Sequence, residues 1–284
     1  MNQISNISIF CFLLLSQCYA QDKRADYYSF PSHYSLENVE KFNLSNDLEE
    51  ISGLEWINEQ TLWAIEDESS VIFELNPNTG KITDKQKFAK NKDIEDLMIL
   101  ENDAWVLQSN GNLYQVEEPL TEYSNTTLHK FPIQEKRDFE ALIKSPDGPL
   151  IWIFCKVCSW DKNSNKSSVF AFNLELMSFE EEANFILKNE QLEPLLKEDD
   201  FKKVKMQPSA IAFHPIEKNY YLLSSSDHWL MVLDQEFNPI GFHHLNPALF
   251  KQPEGITFSK DGTLFISNEA RDGRPNILIF PYQP

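Results

Sequence analysis

Acidic side chains recur along this chain at a nearly constant interval. Each stands at the start of a short apolar run, and three of the steps between successive starts are 45 residues long. The residues at these starts are Glu50, Glu95, Glu140, Ser209 and Glu254. Carboxylates gathered around one opening repel each other unless some take up protons or a cation neutralises them. The pattern therefore predicts either raised carboxyl pKa values or a bound metal ion.

A second polar set follows the second apolar run of each repeat. It consists of Asp67, Ser109, Lys156, Ser225 and Glu269, with Glu66, Asp227 and Asn268 close by. Oxygen ligands without histidine or thiolate suit Ca²⁺, which accepts carboxylate, amide and water oxygens. We expect the Ca²⁺ ligands to come from Glu50, Glu95, Glu140, Glu254, Asp67 and Glu269. The same funnel would present Ser109, Lys156, Ser209, Ser225 and Asn268 to a ligand.

Three interpretations of these sets remain open. In the first, the funnel binds a small molecule or a partner protein and needs no chemistry. In the second, the protein is a metal-dependent esterase, lactonase or phosphoesterase, with Glu50, Glu140 and Glu254 as ligands or general base and Lys156 as an anion contact. The third is structural, because a Glu at the start of each inner strand could accept backbone N–H groups from the neighbouring repeat.

The repeat also indicates the elements that would carry these residues. Each stretch of about 45 residues holds several short apolar runs separated by turn sequences such as residues 76–80 and 259–262. Four short strands per repeat are typical of a β-propeller blade. We therefore predict an all-β propeller of four-stranded antiparallel blades. Five blades can be counted, and a sixth is possible within the 69 residues between Glu140 and Ser209.

The two ends of the chain fit this architecture. The last repeat stops after three strands, and residues 35–43 form a strand without partners of its own. That strand can complete the last blade and remove an open sheet edge. We expect the propeller to span residues 35–284, with an insertion at about 176–205 and a linker at 21–34.

The first twenty residues carry no charged side chain, and their apolar run is too short to span a bilayer of roughly 30 Å. Residues 1–20 therefore resemble a signal peptide, which predicts export to the periplasm or cell envelope. Cleavage after Ala20 is the preferred route. Lipidation of Cys18, which would tether the protein to a membrane, is the alternative. No second apolar stretch is long enough to be a transmembrane span.

The net charge of −19 is carried entirely by residues beyond the signal peptide. Such a charge disfavours nucleic acid and anionic lipid as partners and attracts cations. We expect a monomer. Cys155 and Cys158 could form a disulfide in an oxidising compartment, but residues three apart on a strand point to opposite faces. We expect one buried cysteine and one near a strand end, since a bridge would need a turn directly after Cys155.

Several of these segments resemble a known family. They are residues 50–54, residues 207–215, and the run from Leu245 to Ile256 that continues to Ser267, Asn268 and Glu269. They are similar to the SdiA-regulated (YjiK-like) propellers of bacterial envelope proteins, over roughly residues 35–282. The resemblance implies a propeller related to phytase-like and gluconolactonase-like proteins, in a cell envelope. It does not imply an activity, and it does not extend to the insertion after Cys155.

Overall fold

The computed structural model describes residues 27–271 and 273–284. The predicted signal peptide and Cys18 lie outside these residues. The described part of the chain forms five antiparallel sheets that follow one another around a central axis. This arrangement confirms an all-β propeller with five blades, and the interval between Glu140 and Ser209 holds no sixth blade.

Each blade is a meander whose first strand lies nearest the axis. The chain begins with β1 (Glu40–Asn43), which belongs to the last blade. Blade 1 contains β2 (Ile51–Asn58), β3 (Thr61–Glu66), β4 (Val71–Leu75) and β5 (Ile82–Lys87). Blade 2 contains β6 (Ile94–Leu100), β7 (Asp103–Gln108), β8 (Leu113–Glu117) and β9 (Asn125–His129).

The remaining blades follow the same order. Blade 3 contains β10 (Phe139–Lys144), β11 (Leu150–Cys155), β12 (Lys166–Asn173), β13 (Ser178–Phe179) and β14 (Phe185–Lys188). Blade 4 contains β15 (Ala210–Phe213), β16 (Tyr220–Ser224), β17 (Trp229–Leu233) and β18 (Pro239–His244). Blade 5 contains β19 (Pro253–Phe258), β20 (Leu264–Asn268) and β21 (Asn276–Phe280), and β1 completes it.

The N-terminal strand closes the ring as predicted, although it is shorter than residues 35–43. β1 pairs antiparallel with β21, with Phe42 opposite Ile277. The preceding residues, 27–34, belong to the segment expected to be a linker, and their end is tied to the last two blades. The Tyr34 hydroxyl donates to the Gly262 carbonyl at 2.7 Å and lies 2.7 Å from His214 Nε2. Tyr34 is 5% exposed, so this contact is buried.

The insertion breaks the outer strand of blade 3 into two pieces. Both β13 and β14 pair with β12. A 3₁₀ helix at Asn189–Leu192 and a one-turn α-helix at Glu198–Phe201 follow. Leu192, Phe201 and Met206 pack into the apolar core between blades 3 and 4. The insertion therefore covers an edge of blade 3 and fills the space beside it.

The structure corrects the expectation for the cysteines. Cys155 and Cys158 form a disulfide with a Cα–Cα distance of 6.1 Å. Two unpaired cysteines were expected because residues three apart on one strand cannot meet. β11 ends at Cys155, however, and the chain turns at once into a 3₁₀ helix at Ser159–Asp161. That turn removes the geometric objection.

Apolar clusters lie between adjacent blades and hold the ring together. One of them joins Leu54 and Ala64 of blade 1 to Phe265 and Ile277 of blade 5, which seals the closure. None of the helices within residues 27–271 and 273–284 is long and apolar enough to cross a bilayer.

Candidate functional site: an acidic funnel

A β-bulge opens the inner strand of four of the five blades. The pairing between inner and second strands skips one residue there, and the skipped residues are Ser52, Glu95, Glu140 and Glu254. A bulge bends its strand and redirects the side chain of the extra residue. All four of these residues line one cavity on the axis of the propeller. The repeated acidic residue is therefore aimed at the axis by a local distortion of the sheet.

The residue two positions before each bulge forms a second layer at the rim. These residues are Glu50, Asp93, Asp138 and Gln252. Their backbone carbonyls accept the N–H groups of Asp67, Ser109, Lys156 and Glu269, at 3.2, 3.0, 2.8 and 3.0 Å. The end of each second strand is thus fixed against the start of its inner strand. By this register Ser52, and not Glu50, is equivalent to Glu95.

The resulting acidic funnel has a volume of about 270 Å³. Its lining contains seven carboxylates and a single amine: Asp67, Asp93, Glu95, Asp138, Glu140, Glu254, Glu269 and Lys156, with Ser52 and Gln252. The structure thus brings together six of the residues singled out from the sequence. Asp93, Asp138 and Gln252 were not singled out, although an acidic residue two positions before Glu95 and Glu140 is a visible repeat.

Five other predicted residues do not line this cavity, and one of them is Glu50 at the rim. The Ser109 hydroxyl donates to Asp93 Oδ2 at 2.6 Å, so it supports the rim. The hydroxyls of Ser209 and Ser225 lie 2.8 Å apart in blade 4, and both residues are buried. Asn268 Nδ2 donates to Asn276 Oδ1 at 3.1 Å. The side chains of the three serines and of Asn268 are therefore engaged with other protein groups.

Burial and crowding raise the pKa values of the funnel carboxyls. Burial, and then the carboxylate of Glu140, raise the pKa of Glu95 to about 10. Burial, followed by Glu254 and Asp67, raises the pKa of Glu269 to about 8. Burial and the neighbouring Glu50 raise the pKa of Asp67 to about 7. Several of these groups are therefore protonated at neutral pH unless a cation is bound.

Lys156 neutralises one side of the funnel. Its ammonium group forms an ion pair with Glu140. Burial alone would lower the Lys156 pKa, but Glu140 and Glu254 outweigh it and raise that pKa. Burial, followed by Glu254, raises the Glu140 pKa despite the ion pair. Among the described residues, the funnel carboxylates that form no ion pair with a lysine therefore include those on the side of blades 1, 2 and 5.

One group of carboxylates on that side has the spacing of metal ligands. Glu50, Glu66 and Asp67 each offer an oxygen, and these oxygens all lie within 4.8 Å of one another. Asp67 Oδ1 is buried and has no hydrogen-bond donor among the described residues. The Glu269 carboxyl is close enough for Asp67 and Glu50 to raise its pKa. A buried carboxylate oxygen without a donor is costly, and a cation would satisfy it.

In blade 2, the residue next to Glu95 fills the structural role that was considered for the glutamates. Asp96, next to Glu95, is 4% exposed. Its Oδ2 accepts the N–H of Leu142 in blade 3 at 2.9 Å, and its Oδ1 accepts the N–H of Leu97 at 2.8 Å. Gly53 of blade 1 permits this packing, since a Cβ there would lie 3.0 Å from Asp96 Cα. Asp96 therefore connects blades 2 and 3, and Glu95 remains available to the funnel.

Comparison with known proteins supports the fold and the family resemblance. The SdiA-regulated family model matches residues 174–277. This match confirms the resemblance over blade 4 and most of blade 5, and it also covers the insertion, to which the resemblance was not expected to extend. No curated protein matches the sequence.

Solved structures of similar shape are propeller proteins with very different sequences. Glutaminyl cyclase from Myxococcus xanthus is 7% identical with a TM-score of 0.57, and the alignment covers 86% of this chain and 94% of that one. A luciferin-regenerating enzyme is 10% identical with a TM-score of 0.50, over 86% and 94% of the two chains. A streptogramin B lyase is 15% identical with a TM-score of 0.46, over 82% of this chain and 66% of the lyase. At such identities the likeness concerns the fold alone.

Proposed function

We propose that this protein is an exported propeller that binds Ca²⁺ in its acidic funnel and uses the funnel to bind a ligand or partner. The observation that carries the proposal is the convergence of seven carboxylates and one lysine on a cavity of about 270 Å³. Mutual repulsion of this kind is relieved by a divalent cation. The absence of histidine and thiolate from the lining favours Ca²⁺ over Zn²⁺.

The ion would sit on the side of blades 1, 2 and 5. Glu140 is already paired with Lys156, so it is a poorer ligand than Glu50, Asp67, Glu95 and Glu269. Asp67 is the expected anchor because its buried Oδ1 has no donor in the described part of the chain. Glu140 and Lys156 of blade 3 would then form the opposite wall.

Export and an envelope location belong to the same proposal. The charge-free N-terminal residues support it, and so does the Cys155–Cys158 disulfide, which is stable in an oxidising compartment. Residues 1–20 would be removed after Ala20, or Cys18 would carry a lipid that tethers the propeller to the membrane.

Thermal unfolding of the full chain tests the Ca²⁺ site. We expect Ca²⁺, added after chelation, to raise the melting temperature more than Mg²⁺ or Zn²⁺ does. A ligand present at 100 times its Kd stabilises the native state by about 2.7 kcal/mol. For a domain of this size the shift is roughly 5 to 10 °C.

Two variants make this experiment specific. Asp67→Asn should lose most of the Ca²⁺ shift, because it removes the charge of the expected anchor. Asp147→Asn makes the same change at an exposed turn between β10 and β11, away from the funnel, and should keep the shift. Equal shifts for the two variants, or no shift in the unmodified protein, would contradict a Ca²⁺ site at Asp67.

A metal-dependent hydrolase is the second candidate, and one observation favours it. Glu140, which is not among the expected ligands, has a pKa that burial and then Glu254 raise, and its carboxyl lies beside the Lys156 ammonium group. Carboxyls of this kind suit general acid–base catalysis. The measurement is hydrolysis of carboxylic and phosphate esters by the Ca²⁺-loaded protein. Turnover that Glu140→Gln abolishes without changing the melting temperature would favour the hydrolase.

A further inference from the structure

A second pocket with the opposite charge lies around the loop that follows β11. Its volume is about 230 Å³, and its lining includes Lys136, Lys156, Lys162 and Lys166. We call it the lysine pocket. The whole chain has 25 Lys and Arg residues against 44 Asp and Glu. The protein is acidic overall, so four lysines around one small cavity are an exception to its general charge.

Two of these lysines form no ion pair within the part of the chain that the structure describes. Among residues 27–271 and 273–284, neither Lys136 nor Lys162 has a carboxylate oxygen within 4.0 Å, whereas Lys156 pairs with Glu140. Lys166 lies 3.8 Å from Asp161. Like charges held close together are unfavourable unless an anion lies among them.

The one carboxylate in the lining, that of Asp161, is engaged by its own loop. Asp161 is 4% exposed, and its Oδ1 accepts the Ser168 hydroxyl at 2.6 Å. Its Oδ2 accepts the Ser168 N–H at 3.1 Å. Asp161 therefore organises the wall of the pocket and does not cancel the charge of Lys136 or Lys162.

Several contacts hold the lysine-bearing segments together. The Ser159 N–H donates to the Lys136 carbonyl at 2.9 Å, and the Met206 N–H donates to the Ser164 carbonyl at 2.7 Å. The Cys155–Cys158 disulfide closes around Lys156 and Val157. The backbones are thus fixed before any ligand arrives, which lowers the entropic cost of binding.

We propose that the lysine pocket binds a tetrahedral oxyanion, the phosphate or sulfate group of a ligand that also reaches the acidic funnel through Lys156. Lysine ammonium groups are compact point charges suited to such groups. The lining also contains the side chains of Asn163, Ser164 and Gln207, which can donate hydrogen bonds. Lys156 lines both cavities, so one molecule can contact the two. Simultaneous contact with Ca²⁺ rests on the proposed function, whereas oxyanion binding in the lysine pocket does not.

The test is a calorimetric titration of the full chain with inorganic phosphate, inorganic sulfate and acetate, in chelator and at low ionic strength. We expect phosphate or sulfate to bind and acetate to bind more weakly. Lys136→Ala/Lys162→Ala should weaken binding of the preferred ion by at least about tenfold, since each lost charge-assisted hydrogen bond is worth that much. Lys202→Ala/Lys203→Ala removes the same charge from an exposed segment and should bind as the unmodified protein does.

The outcomes distinguish a phosphorylated from a sulfated ligand and do not depend on the Ca²⁺ site. Tighter phosphate binding indicates a phosphorylated ligand, and tighter sulfate binding a sulfated one. Both lysines are exposed, so their replacement should not change the melting temperature, and Lys136→Arg/Lys162→Arg should retain binding. The single variant Lys162→Ala is a second test, and it too should weaken binding of the preferred ion. The proposal is overturned if neither ion binds, if acetate binds equally well, or if the double alanine variant binds like the unmodified protein. Because chelator is present, failure of the Ca²⁺ site would not alter these results.

Discussion

In chelator, the free energy of unfolding is expected to fall by on the order of 3 kcal/mol as the pH rises from about 6.5 to about 9. The cause is the group of funnel carboxyls whose pKa values are raised in the folded protein. The pKa of Glu269 is about 8 and that of Glu95 about 10. In the unfolded chain these groups titrate near 4.5.

The sign follows from proton counting. Between the unfolded and folded pKa values the native state holds more protons than the unfolded state, so stability decreases as the pH increases. The expected loss is smaller than the separate shifts would give, because the groups are partly exposed and interact with one another. Buried histidines such as His214, whose pKa burial lowers, act in the opposite direction. Their effect ends about one pH unit above the unfolded histidine pKa of roughly 6.5, so it offsets part of the loss only in the lower part of the window.

The measurement is denaturant unfolding at several pH values, in chelator and in Ca²⁺. Glu95→Gln should flatten the pH dependence in chelator, since it removes the funnel carboxyl whose pKa is raised to about 10. Glu236→Gln, on an exposed turn, should leave it unchanged. Ca²⁺ should also flatten it, because a bound cation favours the ionised carboxyls. A stability in chelator that is constant or rises with pH over this window would contradict the account.

Asp96→Ala is expected to lower the free energy of unfolding by about 3 kcal/mol. Asp96 accepts the N–H groups of Leu97 and Leu142 inside the protein. Truncation leaves both donors buried without partners and removes a connection between blades 2 and 3. The melting temperature should fall by roughly 6 to 10 °C.

Asp84→Ala is the matched control for this change. Asp84 is exposed on β5 and accepts only the adjacent Lys85 N–H at 2.7 Å, so its loss should cost less than about 0.5 kcal/mol. Asp96→Asn should lie between the two, because its amide oxygen can still accept one of the N–H groups. An Asp96→Ala protein as stable as the Asp84→Ala control would show that Asp96 does not connect the blades.

The blade pattern was predictable because it depends on local properties. Apolar runs alternate with turn sequences at a regular interval. The strand at residues 40–43 has no neighbouring strand in its own part of the sequence, and it pairs with the free edge of the last blade. Three of the four bulge positions hold a glutamate that the repeat already shows: Glu95, Glu140 and Glu254. The sequence was therefore sufficient to predict most of the acidic ring.

The position of Glu50 depended on register, which the apolar pattern does not define. The 45-residue step from Glu50 to Glu95 joins positions that the bulges show to be non-equivalent. Glu50 corresponds to Asp93, and Ser52 takes the place of the inner carboxylate. A bulge adds a residue without changing the alternation on either side of it, so a sequence pattern alone cannot locate it.

The lysine pocket could not be predicted for a different reason. Lys136 precedes β10, whereas Lys162 and Lys166 follow β11, and only the folded loops bring them to one cavity. The end of β11 at Cys155 could not be predicted either, because nothing in the apolar run indicates the turn that permits the disulfide.

The central claim is that the acidic funnel binds Ca²⁺ in exchange for protons. The most direct measurement is a calorimetric Ca²⁺ titration of the full chain at neutral pH, in two buffers with different ionisation enthalpies. Because Glu95 and Glu269 are protonated there without the ion, the account predicts saturable binding with release of about one proton or more per Ca²⁺. Absence of binding, or binding with no proton released, would contradict it.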